Sequence, residues 1–397
     1  MSATTYQSPT AARSVVAVLL PIMAAVSIAF LVIGLALPVL PLHVHHDLGL
    51  GTFVVGLVAG SQFVASLMSR VWAGQFADRR GAKHAVVAGL LAAIVGGLLY
   101  VLSLRFASTP VVSVAILLLG RALLGGAESF IITGGVSWGL ALAGPANAGK
   151  VIAWVGMAMF AALALGAPLG TTLYNAGGFA AIAAATLLIP LATIAVVAPL
   201  APVRPQRDAR SAFLAVARAV WMPGFGSALS SIGFGTMIAF SSLLSVERHW
   251  SPVWLLFSAF AASLVAARLF LGHVPDRLGG ARVALVSVLI EAAGLALIWL
   301  APTQAVAAAG ALLAGLGFAL VYPGLGVEAV RRAPPQSRGL AMGAYTAFLD
   351  VALGFGSPAL GLVAGWAGLG AVFLAGALVV LGAAAIAVRL LQAPSPA

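Results

Sequence analysis

Four ionisable side chains stand inside long apolar stretches of this sequence: Arg121 and Glu128 in AILLLGRALLGGAESFIIT, Glu291 in SVLIEAAGLALIW and Asp350 in AFLDVALGFGSP. Charge inside hydrocarbon is expensive, so such groups are functional candidates by default. Arg121 and Glu128 are seven positions apart, which on a helix is two turns along roughly one face. Their Cα atoms are then about 10 Å apart along the axis, too far for a simple direct pair. A carboxyl taken out of water is poised to gain and lose a proton, and an arginine whose distance changes would tip that balance. Glu128 is therefore the first choice as a proton carrier. Asp350 is the counterpart in the second half of the chain, for carrying a proton or facing a cationic group. Glu291 reads as a structural pair. Gln62, Ser137, Trp138, Tyr345 and Thr346 are further polar groups within apolar runs.

A second group of charges is repeated. Residues 74–84 read GQFADRRGAKH and residues 272–282 read GHVPDRLGGAR. Gly74, Asp78, Arg79 and Gly81 recur as Gly272, Asp276, Arg277 and Gly279, each 198 positions on, which is half the chain of 397. Arg70 recurs at the same offset as Arg268. Glycine permits a tight turn in both copies. HVHHD at 43–47 places three histidines in four residues, but the spacing is loose for a metal site and a solvated loop is the reading; no metal and no cofactor is expected. No H-E-x-x-H, G-x-S-x-G or P-loop pattern occurs, so neither an enzyme nor ATP-driven pumping by this chain alone is indicated.

The elements that position these groups follow from composition. The chain is 62% hydrophobic and 7% charged, with mean hydropathy +1.13. A soluble domain is about 25% charged, and this chain has too little polar surface to cover a compact sphere in water. It is an integral membrane protein. The net charge of +11 is spread over many short loops without an aromatic-interleaved patch, which excludes a nucleic-acid partner. There is no cysteine, hence no disulfide framework. The first apolar run is too long for a cleaved signal and reads as a membrane helix that stays.

Breaks at proline, glycine and charge clusters give twelve spans. The first half offers roughly 14–40, 52–73, 85–104, 110–140, 151–174 and 179–199; the second offers roughly 220–244, 252–271, 283–301, 305–328, 339–362 and 370–390. The runs are long and unalternated, so helices rather than barrel strands are expected. With the N-terminus inside, every lysine and arginine but Arg105, Arg121 and Arg248 falls on or near the inner side, and both termini are cytoplasmic. The expected domains are a six-helix bundle over 1–199, a basic linker over 200–218 and a second bundle over 219–397. Two such halves in the same orientation are a transporter architecture, in which similar bundles rock about a central site.

GQFADRRGAKH resembles the G-x-[LF]-[AS]-D-[RK]-x-G-[RK]-[RK] signature of the major facilitator superfamily, and GHVPDRLGGAR is its weaker second copy. GRALLGGAES is similar to that family's R-x-x-x-G motif in helix 4, and the likeness implies that Arg121 takes part in proton coupling or substrate contact. GAPLG, with Gly166, Pro168 and Gly170, is similar to the Pro-Gly motif of the drug:proton antiporter branch, although Ala167 stands where that motif has glycine. The run YPGLGVEAVRRAPPQSRGLAMGAYTAFLDVALGFGSP looks like a bacterial efflux-like branch. The resemblance implies an all-α fold of twelve membrane helices in two pseudo-repeated bundles, a bacterial inner-membrane location, and proton-coupled export of a small molecule by alternating access; the alternatives are uptake by symport and, behind it, a non-transporting membrane receptor on the same fold, which the charges retained in the spans disfavour. It implies that the Asp78–Arg79 cluster pairs with helix ends of the other half and latches one state, and that Phe240, Ser241, Ser242 and Tyr322 reach the cavity. Arg80 and Lys83 read as topology charges. One chain of twelve helices suffices for a complete transport unit.

Overall fold

A chain in hydrocarbon must satisfy its backbone groups internally, and long unalternated apolar runs can do so only as helices. A computed structural model describes residues 15–144, 147–203, 213–333 and 338–392, and among these there is no strand. Ten segments are long and apolar enough to cross a bilayer. One of them, Trp154–Val197, holds two helices, because the backbone leaves helical geometry at Gly177 and Gly178. The shorter apolar helix Leu255–Leu271 completes the twelve.

The membrane helices are α1 (Val15–Ala36), α2 (Thr52–Arg80), α3 (Ala82–Leu104), α4 (Pro110–Ala143), α5 (148–176), α6 (179–197), α7 (Phe213–Glu247), α8 (Leu255–Leu271), α9 (Gly280–Leu300), α10 (Gln304–Arg332), α11 (Arg338–Ala367) and α12 (Leu369–Gln392). Beyond α1 the chain turns at Leu37 and Pro38 and continues through the short helix Val39–Leu42 into a π-helical turn, His43–Asp47. Proline lacks the N–H that would bond the preceding turn, which accounts for the break at Pro38. Of the expected linker, residues 213–218 already belong to α7, and 204–212 lie outside the described residues.

Helices pack closely where side chains are small. Gly166 and Gly170 of α5 lie against the backbone of Gly34 and Leu35 in α1, and Gly97 of α3 lies against Leu187 of α6. In the second half α9 packs on α10 and α12, and α8 on α10. The halves meet through α2 on α11 and α5 on α8, pairs that exchange places under the 198-residue repeat. The α2–α11 contact is uneven. Thr52 Oγ1 donates to Gly361 O at 2.8 Å, a Cβ on Gly56 would strike the Ser357 backbone, and one on Gly60 would strike that of Gly354. At the other end of the same helices, Gly74 and Gly343 have nothing within 4 Å of where a Cβ would stand. The interface is shut toward Thr52 and open toward the Asp78 turn.

Candidate functional site

The two signature copies make the same turn differently. In the first, α2 runs unbroken to Arg80 and Gly81 turns the chain into α3 with φ +97°. In the second, Gly279 turns into α9 with φ +90°, but α8 ends at Leu271 and a separate short helix, Val274–Leu278, intervenes. Pro275 stands where the first copy has Ala77, and a proline at that register removes the N–H that would bond the preceding turn. Asp78 makes an interaction of its own. The position of Asp276 is in the short helix, and its side chain lies outside the described residues. Lys83, read as a topology charge, donates to Ala198 O and Leu200 O, both at 2.7 Å, and so caps the end of α6 with a cation. Arg80 lies over the Phe76 ring at 5.8 Å.

The intramembrane groups gather where α2, α4, α10 and α11 face one another. Arg70 of α2 forms an ion pair with Asp350 of α11, its Nη2 donating to Oδ2. This joins the two halves where the closed part of the α2–α11 contact gives way to the open end. Asp350 is only 3% exposed. Glu128 of α4 accepts from Gln62 Nε2 of α2 at 2.6 Å and lies within electrostatic reach of Asp350, Arg70 and Arg121. Glu128 and Asp350 therefore share one electrostatic neighbourhood, in which Arg70 is bonded to Asp350 and Gln62 to Glu128. Arg121 is not paired with Glu128. Its Nε donates to Val58 O at 3.2 Å and Nη2 to Ala59 O at 3.5 Å, while Nη1 is buried without a partner. A small void bounded by Leu37, Val55 and Ile238 adjoins it.

In the second half Tyr322 and Thr346 share a hydrogen bond of 2.6 Å, and Tyr345 donates its hydroxyl to Tyr322 O at 2.8 Å. The two tyrosine rings have centroids 5.0 Å apart. Arg268 of α8 projects across to the first half, its guanidinium 4.2 Å from the Phe160 ring centre on α5 and 5.9 Å from that of Tyr322. Tyr322 lies within electrostatic reach of Arg70, Arg268 and Asp350.

The other sequence candidates fall elsewhere. Glu291 is wholly buried and accepts from Ser230 of α7 at 2.5 Å, a pairing inside the second bundle. Glu328 pairs with Arg332 at 2.6 Å and Arg331 at 3.6 Å. Trp138 is buried with its Nε1 unpartnered, and Ser241 bonds back to Met237 O. Gly166 and Gly170 are packing contacts on α1, and Pro168 is accommodated within continuous helix. HVHHD is the expected solvated segment only at His46 and Asp47, which are exposed, and it forms a π-helical turn rather than a loop. His43 is buried, stacked on Phe179 with centroids 3.9 Å apart, and bonded to Asp47 at 2.8 Å. Tyr174 also bonds Asp47, at 2.7 Å. Among the described residues no three histidine or acidic side chains converge as a metal cluster would require.

Arg70 and Arg268 are what sequence reasoning undervalued. Both count there as inner-side charges, yet both lie within helices and reach across between the halves. The signal was present, since Arg70 and Arg268 occupy the same repeat position, each before its signature turn.

The sequence matches the Major Facilitator Superfamily over residues 22–255 and again over 224–397. It is 43% identical to the Salmonella typhimurium protein named uncharacterized MFS-type transporter STM4428, over 94% of this chain and 96% of that one. It is 39% identical to the Escherichia coli MFS-type transporter YhhS, over 92% and 90%. Among solved structures, a bacterial homolog of the lysosomal transporter Spinster in an inward-facing, occupied conformation superimposes with TM-score 0.74 at 15% identity, covering 94% of this chain and 96% of that one. The nucleoside transporter NupG does so with TM-score 0.72 at 16% identity, covering 95% and 100%. At such identities these structures speak for the fold. The twelve-helix architecture, the doubled match and the close relatives agree: this chain is a multi-pass membrane transporter of the Major Facilitator Superfamily.

Proposed function

We propose that this protein is a proton-coupled exporter of a small molecule, working by alternating access, with Asp350 and Glu128 as proton carriers and Arg70 as the cation they compete for. The observation that carries the reading is the Arg70–Asp350 pair, which ties α2 to α11 beside the Glu128 carboxyl. A proton on Asp350 removes the attraction that holds Arg70, and the guanidinium then has Glu128 as its remaining carboxylate. Breaking a buried ion pair by loss of one charge costs about 3–5 kcal/mol. Turning a 1:99 equilibrium into 99:1 takes about 5.5 kcal/mol. One proton at this position therefore supplies most of what is needed to switch between two states.

The concentration of lysine and arginine at one end of the helices supports a cytoplasmic location for that end and for both termini, in the inner membrane of a bacterium. The interface open toward the Asp78 turn is then an inward-facing state, and a latch through the Asp78–Arg79 cluster belongs to the opposite one. Export rather than uptake is favoured by the likeness of GAPLG to the antiporter motif. The working unit is one chain.

The test uses inside-out membrane vesicles holding a proton gradient read by a pH-sensitive dye. Sugars, drugs and organic acids are added singly to wild type and to Glu128→Gln. A compound that releases protons from wild-type vesicles and not from the variant supports proton-coupled export through Glu128. A response of both leaves export standing and moves the carrier to Asp350. A response found only in right-side-out vesicles replaces export by symport.

A further inference from the structure

Arg70 and Arg268 are the same residue in two repeats, but they meet different partners. Arg70 crosses the interface to a carboxylate on α11. Arg268 crosses the equivalent interface to a phenyl ring on α5. Its Nε is buried without a hydrogen-bond partner, and among the described ion pairs none includes it. An arginine stacked on a ring keeps its N–H donors free in the guanidinium plane, where they match the two oxygens of a carboxylate. Arg70 has a carboxylate within the protein, whereas none of the described ion pairs supplies one to Arg268. A cation within the helices without a counter-ion is costly, and a monoanion neutralises it. The groups beside Arg268, namely Phe160, Tyr322 and behind it Tyr345, present ring surface rather than further charge, which suits an apolar body.

We propose that Arg268, flanked by Phe160 and Tyr322, is the binding site for the carboxylate of an aromatic or apolar monocarboxylic acid, the substrate class of this transporter. The assignment rests on the transport reading above and makes Arg268 the substrate anchor, separate from the proton-carrying Arg70–Asp350–Glu128 group. The arrangement explains why the repeat keeps both arginines while changing the partner. One is neutralised by the protein, and the other is left for the cargo.

The experiment measures equilibrium binding of radiolabelled 1-naphthoate to the purified full chain in nanodiscs, with no gradient, so that it is independent of proton coupling. Wild type is expected to bind, unlabelled benzoate to compete, and 1-naphthamide, of the same shape without the charge, not to compete. Arg268→Gln is expected to weaken binding at least about tenfold. Arg268→Lys keeps the charge, loses the planar fork and is expected to fall roughly three- to tenfold; it carries the test if the glutamine variant fails to fold. Absence of naphthoate binding to wild type, equal competition by the amide, or wild-type affinity in a folded Arg268 variant would each overturn the proposal. Binding without any proton response in vesicles would overturn the coupling reading and leave this one standing; a proton response to neutral compounds with no carboxylate binding would do the reverse.

Discussion

Arg70 of α2 and Asp350 of α11 are 280 residues apart in sequence and form one ion pair across the boundary between the two halves. The two ends of this pair are unequal. Asp350 is almost wholly buried, whereas the Arg70 side chain is 25% exposed. A buried carboxyl that loses its cation can take up a proton, but a guanidinium that loses its anion keeps its charge.

Asp350→Asn is therefore expected to destabilise the protein more than Arg70→Gln, by about 3–5 kcal/mol against less than about 3. The double variant should cost less than the sum of the singles, since the second change removes a charge already orphaned. Thermal unfolding in nanodiscs checks this. Equal single effects that add would mean the pair does not couple the halves.

The uneven α2–α11 contact can be read with thiol chemistry, because the sequence has no cysteine. Gly74→Cys places a thiol in open space and should react readily with a membrane-impermeant maleimide added from the cytoplasmic face, and poorly from the other. Reaction from the opposite face alone would invert the assigned topology. Gly60→Ala puts a methyl group against the Gly354 backbone and should prise the shut end apart, lowering labelling at position 74 as the open end closes.

Lys83→Met removes the cation from the end of α6, where it holds Ala198 O and Leu200 O. A loss of about 0.5–1 kcal/mol in stability is expected, the size of a partly exposed helix-terminus interaction, with membrane orientation unchanged. An altered orientation with unchanged stability would return Lys83 to a topology role.

Pro275→Ala restores the N–H missing between α8 and Val274–Leu278. Amide exchange over 272–274 should slow as the short helix joins α8. Exchange as fast as in wild type would mean that the glycine and histidine before it, rather than the proline, hold the break open.

The twelve spans and the doubled signature were legible because hydrophobic length and a constant offset are local properties of a sequence. The extent of each helix was less so. Arg79 and Arg80 look like loop residues, yet α2 carries both, since a helix end outside the hydrocarbon tolerates charge. The partners of the buried charges were not legible at all. Arg121 and Glu128 are neighbours on one helix face, but each bonds to α2, through Val58 and Gln62 respectively, and nothing within α4 announces that. Arg70 looked like a boundary charge because its partner belongs to a helix that folds against it from the far end of the chain. His43 looked solvated among its histidine neighbours, and its burial comes from Phe179, which no local pattern places nearby.

The shut end of the α2–α11 boundary is made of glycine against main chain at Gly56 and Gly60, with a single side-chain bond from Thr52. Two smooth rods in this position behave as a rolling bearing does. The side chains that do cross, Val64 over Gly354 and the Pro358 ring beside Gly60, rest on glycine, so parting the rods demands little reshuffling of rotamers. What resists separation along this boundary is then concentrated in the charged clasp at Arg70 and Asp350.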